Sequence, residues 1–158
     1  MEQLAQTSVI ELSQIEKFFN NSTSELTEDL SGVTPAEGMM TAAQQIAHAA
    51  QTIDWFIEGA FRNEGFDLNF EEHMKEVFKV TSIGAAREWF AKAIANAKAV
   101  VGSKSDAELM APIAAGPVMG GAPRIAVISG INDHTAHHRG ALTVYARLNG
   151  KVPMMPYL

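Results

Sequence analysis

Apolar residues recur at steps of three and four in four stretches of the chain, and each stretch predicts an amphipathic helix. The first covers about residues 3–20, where Leu4, Ser8, Leu12, Ile15 and Phe19 share one face. The segment NNSTSELTEDLSGVTP then interrupts the pattern with turn formers and charge. The second stretch runs over about 41–62. Thr41 with Gln44 three residues on forms a capping-box start, and Met39, Ile46, Ala50, Ile53, Ile57, Ala60 and Phe61 form the stripe. RNEGFDLNF ends it, and EEHMKEVFK at 71–79 predicts a short extra helical turn.

The third helix is expected over about 82–101, with Ile83, Ala86, Phe90, Ile94, Ala97 and Val101 in line and GSKSD as its stop. MAPIAAGPVMGGAP follows, too rich in Gly and Pro to be a regular helix throughout. The fourth helix is expected over about 123–149. Pro123 suits its first turn, Asn149 and Gly150 its end, and Pro153 blocks continuation. Strand signals are weak and no internal repeat is present. The pattern predicts an all-α fold, a four-helix bundle formed by one domain over 1–158. Connections of roughly 20 residues are long for an up-down-up-down bundle and favour at least one crossover.

Composition narrows the chemistry. The chain has 158 residues, 47% of them hydrophobic, which is enough for a proper core. It has no cysteine, so disulfides, thiolate nucleophiles and cysteine-bound metals are excluded, leaving His, Asp and Glu as the strong metal ligands. A net charge of −6 argues against a broad nucleic-acid surface. The N-terminal stretch is acidic and polar, unlike a secretory signal, and no apolar run approaches the roughly 20 residues of a membrane span. A soluble, cytoplasmic protein is the expectation.

Three of the five histidines fall within INDHTAHHRGAL, residues 131–142. A helix turns about 100° per residue, so His138 lies about 40° from His134, one turn further along. Val127, Ile131, Ala141, Tyr145 and Leu148 fall within about 60° of the same line, which places both histidines in the apolar stripe. His137 stands on its flank and Arg139 points away, toward a structural salt bridge or a helix contact. Two imidazoles at i and i+4 reach one cation, the spacing that His-x-x-x-His helices use. They also suit a hydrogen-bonded core pair. The motif lacks the Glu of HExxH, since Thr135 follows His134. His48 lies off the main stripe of its helix, which predicts a helix buried on two sides or a groove at His48. His73 lies in a charged stretch and is expected to be solvated. Asp54, Glu58 and Asp133 do not share the ligand face, so no carboxylate is an obvious general base.

A His within AAQQIAHAAQTIDWF and a final helix reading NDHTAHHRGALTVYARLNGKVPMMPY together resemble the DinB-like (DinB/YfiT) family of metalloenzymes. The resemblance spans essentially the whole chain. It implies a four-helix bundle with a long crossover between helices two and three. It assigns a divalent metal, nickel or zinc, to His48, His134 and His138, with His137 beside the ligand slots. It implies a small-molecule substrate, a low-molecular-weight thiol among the options, and a homodimer. The Gln usual after Arg-Gly is Ala141 here. Trp55 and Tyr145 are candidates for the pocket wall. The expected function is a metal-dependent hydrolase or thiol-dependent transferase; the alternative is a non-catalytic metal-binding or stress-related helical bundle.

Overall fold

A computed structural model describes residues 2–158. Among these residues lie six helices and no strand: α1 (Gln3–Thr23), α2 (Ala42–Phe61), α3 (Phe70–Phe78), α4 (Ile83–Gly102), α5 (Asp106–Met110) and α6 (Val127–Leu148). The four long helices are those the apolar periodicity predicts. Around the bundle α1 packs on α4, α4 on α2, α2 on α6 and α6 on α1, so α1 lies diagonally from α2 and α4 from α6.

Specific contacts fix the helix directions. The Arg87 guanidinium near the start of α4 donates to the Thr23 carbonyl at the end of α1. The Leu4 N–H at the start of α1 donates to Asp106 just beyond α4. These two helices are therefore antiparallel. Tyr145 near the end of α6 donates to the Met40 carbonyl just before α2, so α6 and α2 are antiparallel as well. The starts of α2 and α4 meet at Ser31, and Lys104 beyond α4 lies over the Phe61 ring at the end of α2. Hence α2 and α4 run parallel, in an up-down-down-up bundle. The segment joining them, with α3 in it, is the expected crossover.

A 3₁₀ turn over Glu28–Leu30 and the residue after it hold the parallel pair in place. The Ser31 carbonyl accepts from the Ala43 N–H at 3.1 Å, and its hydroxyl accepts from the Ile83 N–H at 2.9 Å. Glu28 accepts from the Gly84 N–H at 2.8 Å and from the Ser31 hydroxyl at 3.0 Å. These hydrogen bonds hold the Glu28 carboxyl below its usual range, that from Gly84 most of all. One short turn thus satisfies backbone donors at both helix starts, groups that a helix leaves without internal partners. The Thr41 capping box forms as expected, with Gln44 reciprocating.

The core is built from small and medium residues on α2, among them Ala43, Ile46, Ala47, Ala50 and Ile53, against larger side chains such as Phe19, Phe90 and Tyr145. Phe19 and Phe90 stack at 4.2 Å between ring centres, joining α1 to α4. Some stripe positions depart from expectation. Met39 is exposed because it precedes the N-cap, and Leu148 is exposed because the last turn of α6 overhangs the bundle. Pro123 precedes a 3₁₀ turn, Arg124–Ala126, and α6 proper begins at Val127. The sequence reading also missed α5, whose signal was the Ser105–Glu108 capping box.

Ser31→Ala is expected to lower stability by about 1–2 kcal/mol, through loss of a hydroxyl that caps α4. Urea denaturation measures it, and an unchanged midpoint would show that the Ser31 hydroxyl does not brace the start of α4.

Candidate metal centre

The antiparallel contact of α2 with α6 brings three histidines together. His48 projects from α2; His134 and His138 project from α6 one turn apart. One ring nitrogen from each lies within 4.8 Å of the others. Ring centres are 5.2 Å apart for His48 and His134, 5.0 Å for His48 and His138, and 4.5 Å for His134 and His138. His138 is buried, while His48 and His134 are half-buried. Both expectations for His48 are met at once: α2 packs on two sides, against α4 and α6, and its His48 face opens onto a cavity.

Hydrogen bonds fix the orientation of the rings. His138 Nδ1 lies 2.5 Å from Gln45 Oε1. The Gln45 amide nitrogen donates to the Tyr145 hydroxyl at 3.4 Å, and that hydroxyl donates to the Met40 carbonyl at 2.7 Å. With its nitrogen committed to Tyr145, Gln45 turns its oxygen to His138, which places the proton on Nδ1 and leaves a lone pair on Nε2. Thr52 donates to the His48 carbonyl at 2.8 Å, and its oxygen lies 3.1 Å from His134 Nε2. His134 Nε2 also lies 2.9 Å from His138 Nε2. This is the hydrogen-bonded pair that the i, i+4 spacing allows. It leaves one nitrogen over: His48 Nδ1 is buried with no hydrogen-bond partner. Buried polar atoms rarely go unsatisfied. An all-imidazole donor set with one nitrogen in want of a partner fits a divalent ion of the zinc or nickel kind.

Burial also sets the charge. Desolvation pushes His138 down to about 3 and His134 down to about 4, with the neighbouring histidines adding to the effect. His48 is lowered for the same principal reason, with Gln51 opposing. Near neutral pH all three are uncharged, the form a metal requires.

A cavity of about 240 Å³ adjoins the cluster, lined on one side by His48, Thr52 and His134. Trp55 and Phe56 from α2 and Phe70 and Met74 from α3 supply its apolar walls. Trp55 donates to the Asp67 carbonyl at 2.7 Å, tying the crossover to α2. Gly130 on α6 admits the Phe56 ring, since a Cβ there would meet it at 2.7 Å. His73 also lines this cavity, contrary to the solvated position expected of it. α3 lays one face on α2, and the charges that made the stretch look solvated lie on its other faces. His73 Nε2 is buried, 3.6 Å from the Asp67 carboxylate.

The remaining candidates are placed as follows. Tyr145 is fully buried and reaches the cluster only through Gln45. His137 is exposed, with its ring 5.1 Å from that of His138. Arg139 lies over the Phe18 ring of α1, a helix contact. Asp54 accepts from Trp89 and faces α4; burial raises its carboxyl above the usual range, with the Trp89 hydrogen bond opposing. The sequence reading overlooked Gln45, and it placed Thr52 on the His48 face without giving it a role. Each lies close to His48 on α2, and the only signal was a polar side chain at a position facing α6.

Unfolding returns each imidazole to an ordinary value near 6.5. The unfolded chain then binds protons that the folded chain refuses, so the stability these groups contribute is complete above about pH 6.5 and is lost as pH falls toward 4 and then 3. Chelator-treated protein is expected to lose stability already between about pH 6.5 and 5, above the range where carboxylates titrate. A denaturation midpoint that stays flat across that window would contradict neutral, buried histidines.

A family model described as the DinB superfamily matches residues 11–142, which include all three histidines. No curated protein matches the chain. With the bundle and the histidine cluster in place, that match over most of the length shows that the chain belongs to the DinB superfamily.

Proposed function

We propose that His48, His134 and His138 hold one divalent ion, zinc or nickel, and that the protein is a metal-dependent enzyme acting on a small molecule, as a hydrolase or a thiol-dependent transferase. The observation that carries this reading is the convergence of three uncharged imidazoles beside a cavity, with His48 Nδ1 lacking any protein partner. Family membership supports it.

A bound ion would supply Lewis acidity toward a carbonyl, or a site for a thiolate. The chain's own residues do the rest. Gln45, steadied by Tyr145, holds the His138 ring so that Nε2 faces the cluster. Thr52 anchors its hydroxyl on the His48 carbonyl and so helps to place the His134 ring. Such outer hydrogen bonds orient metal-binding imidazoles and set their basicity. Trp55, Phe56, Phe70 and Met74 give the adjoining space apolar walls. The second reading is a non-catalytic metal-binding bundle. The cavity at His48 and His134 favours catalysis, because a purely structural site is closed by its protein ligands.

Protein purified without an affinity tag is expected to carry about one divalent ion per chain by elemental analysis. His138→Ala should abolish stoichiometric binding; unchanged metal content would sink the three-histidine assignment. Gln45→Leu should weaken metal affinity by roughly 10–100-fold while leaving stoichiometry at saturation intact. Removing the metal should lower the melting temperature only modestly, since the apolar stripes are complete without it. A metal-free chain that circular dichroism finds unfolded would refute this.

A further inference from the structure

We infer that the cavity beside the histidine cluster is a binding site for a compact, uncharged apolar group of about the size of a benzene ring with a short arm, and that it selects against ligands whose body carries a negative charge. Three independent features of the cavity carry this.

The first is size. At about 240 Å³ the space equals roughly eight water molecules. It lies below the range of about 300–1,000 Å³ typical of drug-sized ligands. A small aromatic or branched aliphatic group fits; an extended, heavily hydroxylated molecule would leave most of its bulk outside.

The second is the wall. Trp55 is the centre of an aromatic group, with ring centres 5.2 Å from Phe56, 4.5 Å from Phe66 and 5.9 Å from Phe70. These faces and edges offer dispersion contacts and offset or edge-on ring packing. Gly59 leaves room for Phe66 behind them, as Gly130 does for Phe56. Two glycines at the helix surfaces are thus occupied in letting aromatic rings approach.

The third is charge. No lysine or arginine lines the cavity among the described residues. The Asp67 carboxylate stands beside His73, its Oδ1 held by the Asn69 N–H at 2.9 Å and its Oδ2 facing the His73 ring. On the far side of His73 a neighbouring groove is lined by Asp54, Glu58, Glu72 and Glu76. A ligand carboxylate or phosphate seated among the aromatic walls would lose its water with no lysine or arginine beside it, since any cation at the histidines stands at one side of the cavity only. The ligand's uncharged body occupies this space, and its one polar atom, sulfur or oxygen, is turned to the histidines. The role of that polar atom rests on the metal reading above; the apolar preference does not.

The probes are benzyl mercaptan and 3-mercaptopropionate, titrated by calorimetry and absorbance into protein loaded with one equivalent of cobalt(II). Benzyl mercaptan is expected to bind roughly tenfold or more tightly than the charged thiol, with a thiolate-to-cobalt charge-transfer band. Trp55→Ala should remove most of that preference at unchanged cobalt stoichiometry. Phe70→Lys is a gentler change, since Phe70 is 55% exposed, and should shift the preference toward 3-mercaptopropionate. Equal affinities, a tighter charged thiol, or no binding of either to the cobalt-loaded protein would overturn the inference. If cobalt does not bind at all, the metal reading fails on its own. The metal-free protein then decides the cavity: binding of benzyl mercaptan that Phe70→Lys weakens upholds the apolar site, and no binding overturns it.

Discussion

The parallel alignment of α2 and α4 is the constraint on which the rest of the structure depends. Two neighbouring helices that run the same way cannot be joined by a short turn. The chain leaving α2 must return the length of a 20-residue helix, about 30 Å, before α4 begins. That return path carries α3 and lies along α2 on the side where His48 emerges. An antiparallel α2 and α4 joined by a tight loop would leave the histidines on an open groove. The crossover instead adds Phe70, His73 and Met74 to the wall.

The cluster shows how burial and hydrogen bonding divide the work. Burial keeps the imidazoles uncharged, which three cations in such proximity could not be. Hydrogen bonding then decides which nitrogen of each ring is free. The sequence Met40, Tyr145, Gln45, His138 runs between α2 and α6 with donors all pointing one way. It begins at a backbone carbonyl and ends at the cluster, so the tautomer of His138 is set by the packing of two helices. Ala141 stands where the family resemblance leads one to expect a Gln. An amide is nonetheless present at the cluster, supplied by α2.

Much of this was legible in the residues, for definite reasons. Apolar spacing of three and four is a direct record of the buried face, and it located all four long helices. Helical angles put His134 and His138 together and set His137 aside. The resemblance, and no angle, supplied His48. What the sequence hid depends on partners distant in the chain. The position of His73 follows from which face of α3 meets α2, and a count of charges over residues 71–79 does not report that. Tyr145 shares the line of the two histidines, yet one turn or more further along α6 it has passed the cavity and meets Gln45. Gln45 and Thr52 became meaningful only once α6 was known to lie against them.

The site is thus assembled from two parts of unequal firmness. The histidines belong to α2 and α6, whose contact is threaded with fully buried side chains such as Ile46, Ile131, Leu142 and Tyr145. The outer wall belongs to α3, which packs chiefly on α2 and buries only Val77 completely. Elements with few buried contacts open at lower free energy than the core around them. The cavity therefore has the histidines at its back, Trp55 and Phe56 on the firm α2 side, and Phe70, His73 and Met74 on the side that yields. Phe70, His73 and Met74 take no part in the hydrogen bonds that orient the histidines. Gln45 and Tyr145 lie outside the cavity and act on the histidines alone, whereas Thr52 both lines the cavity and approaches His134. This separation follows from the topology, because the parallel helix pair makes the crossover obligatory and the crossover is not itself part of the bundle core.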